Sequence, residues 1–101
     1  MPLTQGDWKN GMKHGIGVYK SKNGDVYEGE YRLNKRDGYG IKKWASGCSY
    51  KGYWTKDLMH GQGLFRWSKG DFYEGSYVDG LREGFGTRVW ESGTKYVVRV
   101  D

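Results

Sequence analysis

The feature that most constrains this chain is a period of 23 residues that keeps its register almost from end to end. Pairs of glycines one residue apart recur at that spacing, and tyrosines, tryptophans and single glycines recur with them. The glycine pairs are Gly15/Gly17, Gly38/Gly40, Gly61/Gly63 and Gly84/Gly86. A fixed period of about 20 to 50 residues is typical of repeat proteins, so the 101 residues are predicted to form a short repeat array.

Each repeat carries the signals of a β-hairpin. The segment VYEGEYRL, residues 26–33, places two tyrosines, a glycine and a leucine on one strand face and mostly charged residues on the other. A segment such as GQGLFRW then supplies a second strand. Residues that form tight turns separate the two strands in every repeat: Asn10-Gly11, Asn34, Asp57 and Asp79-Gly80. The pattern predicts an all-β fold, an antiparallel meander of four 23-residue hairpins plus a closing strand.

The paired glycines have a structural explanation. An aromatic ring can lie flat across a neighbouring strand only where that strand has no Cβ. If the hairpin loop has an even number of residues, Trp8 and Tyr31 share a face with the glycine pairs; if the number is odd, they share it with Ile16 and its equivalents. The sequence leaves both arrangements open, with the contact either within a hairpin or between hairpins. A nucleotide-binding glycine loop is not favoured, because no helical periodicity follows the glycines.

Composition and charge limit the classes of function. No stretch has the apolar length of a membrane-spanning helix or the layout of a signal peptide, and the single cysteine forms no internal disulfide, so we expect a soluble intracellular protein. The net charge of +5 is uneven: residues 1–49 hold nine Lys/Arg against five Asp/Glu, while residues 50–101 hold eight against seven. A basic first half is compatible with an anionic partner or with a solubilising surface.

The sequence offers no catalytic or metal-binding set. His14 and His60 occupy the same column two repeats apart, about 19 Å, which is too far to share a metal ion. Neither the carboxylates nor the hydroxyl side chains form a repeated nucleophile-and-base arrangement. We therefore predict a non-catalytic protein without cofactor or metal. Basic residues near Trp44 do not outweigh sheet packing as the explanation of the rings, so nucleic acid is not a favoured partner.

Two segments, YEGEYRLNKRDGYGIKKWASG (27–47) and YEGSYVDGLREGFGTRVWESG (73–93), carry a family resemblance. Their pattern of Tyr-x-Gly-x-aromatic, a turn, Gly-x-Gly and a closing glycine resembles the MORN repeat (membrane occupation and recognition nexus). The repeats fall at about 4–26, 27–49, 50–72 and 73–95. A terminal strand at 96–101 departs from the pattern, with Val98 in a glycine column and Val100 in an aromatic column.

The resemblance implies that the meander is an elongated single-layer sheet. It also implies a protein-binding scaffold that docks a helical or extended partner segment along an aromatic groove. The predicted groove residues are Trp8, Tyr27, Tyr31, Tyr50, Trp54, Tyr73, Tyr77 and Trp67. It also implies a cytoplasmic location, with the cytoskeleton, the cilium or a membrane as sites of association. The alternative hypothesis is a peripheral adaptor for anionic phospholipid such as phosphoinositide. The predicted lipid contacts are Lys13, Lys35, Arg36, Lys42 and Lys43. Pairing of edge strands leaves a homodimer open as a further arrangement.

Overall fold

The structure is a computed structural model that describes the backbone of residues 3–9 and 11–100 and the side chains of residues 11–99. Within these residues the regular secondary structure consists of nine strands. They are β1 (Leu3–Lys9), β2 (Met12–Lys20), β3 (Val26–Arg32), β4 (Lys35–Lys43), β5 (Ser49–Thr55), β6 (Leu58–Arg66), β7 (Phe72–Val78), β8 (Leu81–Val89) and β9 (Lys95–Val100). The predicted all-β fold is confirmed.

The strands form one sheet in which spatial order equals sequence order, β1 to β9. Every strand pairs antiparallel with the strand before it and the strand after it. The molecule measures 46 × 25 × 15 Å. Successive pairs from β1β2 to β7β8 are the four predicted hairpins, and β9 is the predicted closing strand, so the meander is confirmed.

The loop within each hairpin is two residues long. Leu33 and Asn34 have φ of 48° and 73°, and Lys56 and Asp57 have φ of 48° and 72°. Positive φ at both central residues is the type I′ geometry, whose twist matches that of the flanking strands. Asn and Asp tolerate this conformation, which explains why the sequence placed turn residues there. Of the predicted turn residues, Asn10 lies outside the described part of the chain.

A wider turn connects each hairpin to the next. In the turn after β4, the Gly47 amide donates to the Trp44 carbonyl at 3.0 Å, and the Trp44 amide donates to the Cys48 carbonyl at 2.9 Å. Gly47 has a φ of 101°, which L side chains rarely adopt. The turns after β6 and β8 repeat these bonds from Trp67 and Trp90. The closing glycine of the second, third and fourth repeats therefore bonds to a tryptophan at the base of the turn, and in the first repeat Gly24 bonds to Ser21 in the same way.

The strand register shows how the glycine pairs are placed relative to the two faces of the sheet. Within the β3–β4 hairpin Gly29 lies opposite Gly40 and Tyr31 lies opposite Arg36. Between hairpins, Gly38 lies opposite Trp54. The two-residue loop is even, and Tyr31 shares its face with Gly40, the second glycine of the pair, as one of the two predicted arrangements requires. The first glycine, Gly38, differs: it has a φ of 104°, and a Cβ added to it would meet the Glu30 side chain.

Aromatic rings lie on the glycines of the neighbouring strand. A Cβ added to Gly40 would come within 2.6 Å of Tyr27 Cε1, and a Cβ at Gly63 or Gly86 would overlap the ring of Tyr50 or Tyr73 in the same way. Each of these contacts joins the two strands of a single hairpin. The predicted contact between rings and Cβ-free backbone is therefore confirmed, and it is made within hairpins.

The last strand lacks this arrangement. Tyr96 occupies the column of Tyr27, Tyr50 and Tyr73 but is 60% exposed. Val98 stands opposite Gly86, where the equivalent residue of every earlier hairpin is a glycine. Tyr96 contacts the Trp90 ring at a centroid distance of 6.2 Å, with the two planes nearly perpendicular. The ring column is thus buried only where another strand follows.

Candidate functional site

One face of the sheet, here called the aromatic face, carries the hydrophobic core. Six of its rings are only 0–7% exposed. They are Tyr27, Tyr31, Tyr50, Trp54, Tyr73 and Tyr77. Successive rings along this row meet edge-on, with centroids 5.0–6.0 Å apart. Such contacts add to the stability gained from area burial, so the row is a continuous core that links the repeats.

Most residues predicted to line a partner-binding groove are therefore core residues. Their contact with a partner stays a prediction, and their buried rings leave little surface for it. Trp67 is half-buried and does present an accessible ring surface. Trp8 lies on β1 opposite Lys13, and its side chain lies outside the described residues. Sequence reasoning identified the ring columns but not which rings reach solvent.

Long basic side chains lie over the rings. Lys13 Nζ is 3.9 Å from the centroid of Tyr19, Arg36 Cζ is 4.4 Å from Trp54, and Arg88 Cζ is 4.1 Å from Trp67. Lys42 and Arg82 lie over Trp44 and Tyr73 at 5.1 and 5.3 Å. Their alkyl stems cover apolar surface while their charged groups reach water.

Three of these cations pair with carboxylates. Arg36 Nε lies 3.0 Å from Asp57 Oδ1, which also accepts the Arg36 amide at 2.8 Å. Arg88 Nη2 lies 3.3 Å from Asp71 Oδ2, and the other Asp71 oxygen accepts the Glu91 amide at 2.9 Å. Lys42 Nζ lies 3.9 Å from Asp25. The carboxylates thus fix both the cations and the turns at the two ends of the strands.

Burial shifts the pKa values of several ionisable side chains on this face. Loss of solvation raises the pKa of Tyr31 and of Tyr50 to about 12. It also lowers the pKa of Lys13 and of Lys42. Burial alone would raise the pKa of Asp57, but hydrogen bonds from the backbone and guanidinium of Arg36 outweigh it, and the net shift is downward. The tyrosines remain neutral hydroxyls, which suits packing rather than proton transfer.

A cleft of about 500 Å³ opens on the aromatic face in the first two repeats. Basic, acidic, amide and tyrosine side chains line it, including Lys13, Arg36, Lys42, Asp25 and Asp57. It is a polar cleft in its charged residues, which are half of those that line it, and the rings of Tyr19, Tyr27 and Tyr31 add apolar surface to it.

The third repeat presents an apolar surface on the same face. Met59, Phe65, Trp44 and Trp67, here called the apolar window, are all partly buried and pack against the core rings. Phe65 lies 5.6 Å from the Trp44 centroid and 4.9 Å from that of Trp67. Partly exposed aromatic residues in one cluster are favoured anchors for protein partners. The aromatic face therefore combines a polar cleft with an apolar surface.

The predicted lipid-contact residues do not form one surface. Lys13, Arg36 and Lys42 lie on the aromatic face over its rings. Lys35 and Lys43 are exposed and stand one residue from Arg36 and Lys42, so strand alternation directs them to the opposite face. Sequence reasoning grouped these residues by charge and proximity along the chain, and the sheet separates them.

The polar column that contains the two histidines serves the hairpin loops. His14 Nδ1 and His60 Nδ1 accept backbone amides of Leu33 and Asp79, each at 3.4 Å, from the next hairpin. Asp37 accepts the equivalent Lys56 amide at 3.3 Å. Among the described residues, no group of His, Cys, Asp and Glu could hold a metal ion. Likewise, the described part of the chain contains no helix suited to crossing a bilayer.

The opposite face is open to solvent. Ile16, Tyr53 and Phe85 are 52–69% exposed. Tyr39 and Tyr53 form a surface pair with centroids 5.4 Å apart. Charged residues stand between these apolar groups, including Glu28, which lies opposite Ile41. The exposed rings of this face are scattered among charges, unlike the clustered rings of the apolar window.

A family model for the MORN repeat matches the chain four times. The matches cover residues 5–26, 27–49, 50–72 and 73–95, one for each observed hairpin and the wide turn that follows it.

Proposed function

The chain belongs to the MORN-repeat family, whose repeats are generally protein- or membrane-binding, and on that premise we propose that it is a non-catalytic scaffold that docks a partner polypeptide on its aromatic face. The observation that supports this most directly is the apolar window. It is a cluster of partly buried aromatic and aliphatic groups on that face: among the described side chains no cation lies over the Phe65 ring at its centre, while Lys42 and Arg88 lie over its outer rings, Trp44 and Trp67.

The buried row of rings serves the proposal indirectly. It holds the strands in a fixed register, so the side chains above it keep defined positions. A partner would contact the second layer, formed by the apolar window and the basic residues around it. This assigns the direct contact to Trp44, Met59, Phe65 and Trp67 rather than to the core tyrosines.

Site-specific photo-crosslinking tests the proposal. A photoreactive phenylalanine analogue is placed at Trp67, and the matched control carries it at Tyr53, which is 52% exposed on the opposite face. In cell extract, light should give protein adducts from the first position and few from the second. Adducts only from the second position, or none from either, would contradict docking on the aromatic face.

Binding to anionic phospholipid is the competing hypothesis. It has less support, because the basic residues proposed for it are divided between the two faces and a flat membrane meets one face at a time. Sedimentation with phosphoinositide vesicles at low and raised salt separates the hypotheses. Salt-sensitive pelleting would favour the membrane adaptor, since surface electrostatic attraction weakens with ionic strength.

A further inference from the structure

Two columns of equivalent residues run through the apolar window, which contains the third-repeat member of each. In both columns the residue type changes from basic to apolar at the third repeat. The first column reads Lys13, Arg36, Met59, Arg82 from the first repeat to the fourth. The second reads Tyr19, Lys42, Phe65, Arg88. In each, an apolar side chain replaces a basic one in the third repeat, and basic side chains stand in the repeats on both sides.

The register places these residues at equivalent positions. Arg36, Met59 and Arg82 lie opposite Tyr31, Trp54 and Tyr77 in their own hairpins. Lys42, Phe65 and Arg88 likewise lie opposite the tyrosines that begin their repeats. Successive members of a column are two strands apart, which corresponds to about 10 Å. The backbone positions of the flanking basic residues thus lie about 10 Å from those of Met59 and Phe65 in both directions. The charged groups of Lys42 and Arg88 reach the edges of the apolar window, over Trp44 and Trp67.

The charge around the apolar window is positive after internal pairing. Five basic residues lie on the aromatic face, and three carboxylates, Asp25, Asp57 and Asp71, pair with three of them. Among the described side chains, Lys13 and Arg82 take part in no ion pair. The guanidinium of Arg36 also has five donors, more than its bonds to Asp57 use. Of the basic residues that flank the apolar window, Arg82 offers an unpaired cation on one side, and Arg36 offers spare guanidinium N–H donors on the other; Lys13 stands one repeat further away.

From this arrangement we infer the chemistry of the partner, an acidic segment with one large apolar anchor between two acidic groups. The inference rests on the function proposed above. The anchor fills the apolar window, and the acidic residues reach Arg36 and Lys42 on one side and Arg82 and Arg88 on the other. A spacing of about 10 Å is three residues in an extended chain or seven in a helix.

A peptide selection tests the inference without an assumed partner. The probe is a phage-displayed library of random peptides about 16 residues long, enough for either spacing. The bait is the immobilised 101-residue chain. We expect enriched peptides to carry a large apolar residue with Asp or Glu about three or about seven positions to each side. Enriched peptides with basic flanks, or with no acidic pattern, would overturn the inference.

Variants of the bait locate the binding site. Met59→Arg and Phe65→Lys introduce the side chain types that neighbouring repeats already hold at these positions, so the fold is expected to survive, which circular dichroism checks. An enriched peptide should bind the double variant at least about tenfold more weakly, the loss expected for one apolar anchor. Arg82→Glu should weaken binding by about threefold to tenfold, and by less at high salt. The matched control, Arg66→Glu on the opposite face, should leave binding within about twofold.

The outcomes separate the two proposals. Peptides that lose binding to the double variant but ignore Arg82→Glu would leave the docking face in place and overturn the acidic specificity. Peptides that bind the double variant as well as the original chain would overturn docking at the apolar window itself. Failure to enrich any peptide would count against both.

Discussion

Tyr50 and Tyr53 lie three residues apart on β5, yet Tyr50 is fully buried and Tyr53 is 52% exposed. The Tyr50 ring lies on Gly63, meets Trp54 and Tyr77 edge-on, and donates its hydroxyl to the Tyr53 carbonyl at 3.1 Å. The Tyr53 ring, on the opposite face, meets the Tyr39 ring and is otherwise open to solvent. The two residues have the same chemistry and the same strand but different surroundings.

The difference shows how a single-layer sheet can bury anything at all. Among the described residues, only side chains cover the aromatic face. Tyr27, Tyr50 and Tyr73 lie on bare backbone, the rings of the row meet at their edges, and basic side chains or, in the third repeat, Met59 and Phe65 lie beside and over them. The opposite face has none of these three in a continuous row. Whether a ring is buried in this fold therefore depends on a glycine in the neighbouring strand as much as on the ring itself.

The largest test of this comparison is truncation of one tyrosine on each face. Tyr50→Ala should lower the free energy of unfolding by about 3–5 kcal/mol, because it leaves a cavity within the continuous row. Tyr53→Ala should cost less than about 1 kcal/mol, since the ring is half in water already. Urea denaturation followed by tryptophan fluorescence measures both, and equal costs would contradict the contrast between the faces.

A smaller effect is expected from filling the glycine under the ring. Gly63→Ala should cost about 2–3 kcal/mol, because the added Cβ overlaps the buried Tyr50 ring. Gly93→Ala is the control: a Cβ there meets nothing within 4 Å, and the φ of 93° alone should cost about 1 kcal/mol.

A double-mutant cycle isolates the contact between ring and glycine. In the Tyr50→Ala background, Gly63→Ala should cost little, since the ring that the Cβ would meet is gone. Additive costs would show that Gly63 is required for another reason, and the proposed role of the bare backbone would be wrong.

Alkaline pH should weaken the aromatic face. Tyr31 and Tyr50 have folded pKa values of about 12 against an ordinary value of 10.0, so the neutral hydroxyl is the form that folding favours. Their contribution is fully present below pH 10, and it falls as pH rises from 10 through 12. The loss is on the order of 2–3 kcal/mol for each tyrosine, measured by urea denaturation at several pH values. The Tyr31→Phe/Tyr50→Phe variant lacks both hydroxyls and should show a shallower fall; an unchanged slope would contradict the assignment.

The smallest effect distinguishes two equivalent hydroxyls. Tyr50 Oη has a carbonyl partner, whereas the buried Tyr73 Oη has no hydrogen-bond partner among the described residues. Tyr50→Phe should therefore cost about 1 kcal/mol, and Tyr73→Phe should be neutral or slightly stabilising. Thermal unfolding of the two variants side by side decides this, and a larger cost at Tyr73 would be evidence against the pairing described.

The sequence predicted the repeat, the strands and the ring–glycine contact because these depend on local rules. Alternation along a strand and the conformations of Asn34, Asp57 and Gly47 are decided within a few residues. The even loop, left open from sequence, follows from the two-residue type I′ turn. That turn requires a positive φ at Leu33 and at Lys56, and leucine and lysine are not residue types for which a positive φ is expected from sequence.

The candidate site was harder to predict because it depends on long side chains that cross between strands. Arg36 covers Trp54, a residue 18 positions later, and its direction is set by Asp57 from the next hairpin. The apolar window did leave a signal, since Met59 and Phe65 interrupt two otherwise basic or polar columns. A comparison of equivalent residues in these two columns, in addition to the glycine and ring columns, would have identified the apolar window.

The pairing of every strand with its sequence neighbours also has a kinetic consequence. Because no ladder joins distant strands among the described residues, each closure spans few residues, which gives low contact order for a β protein and favours fast assembly. Folding can start at any hairpin and spread outward, as in a zipper. Amide protons of β5 should then exchange with solvent most slowly, and those of β1 and β9 most rapidly.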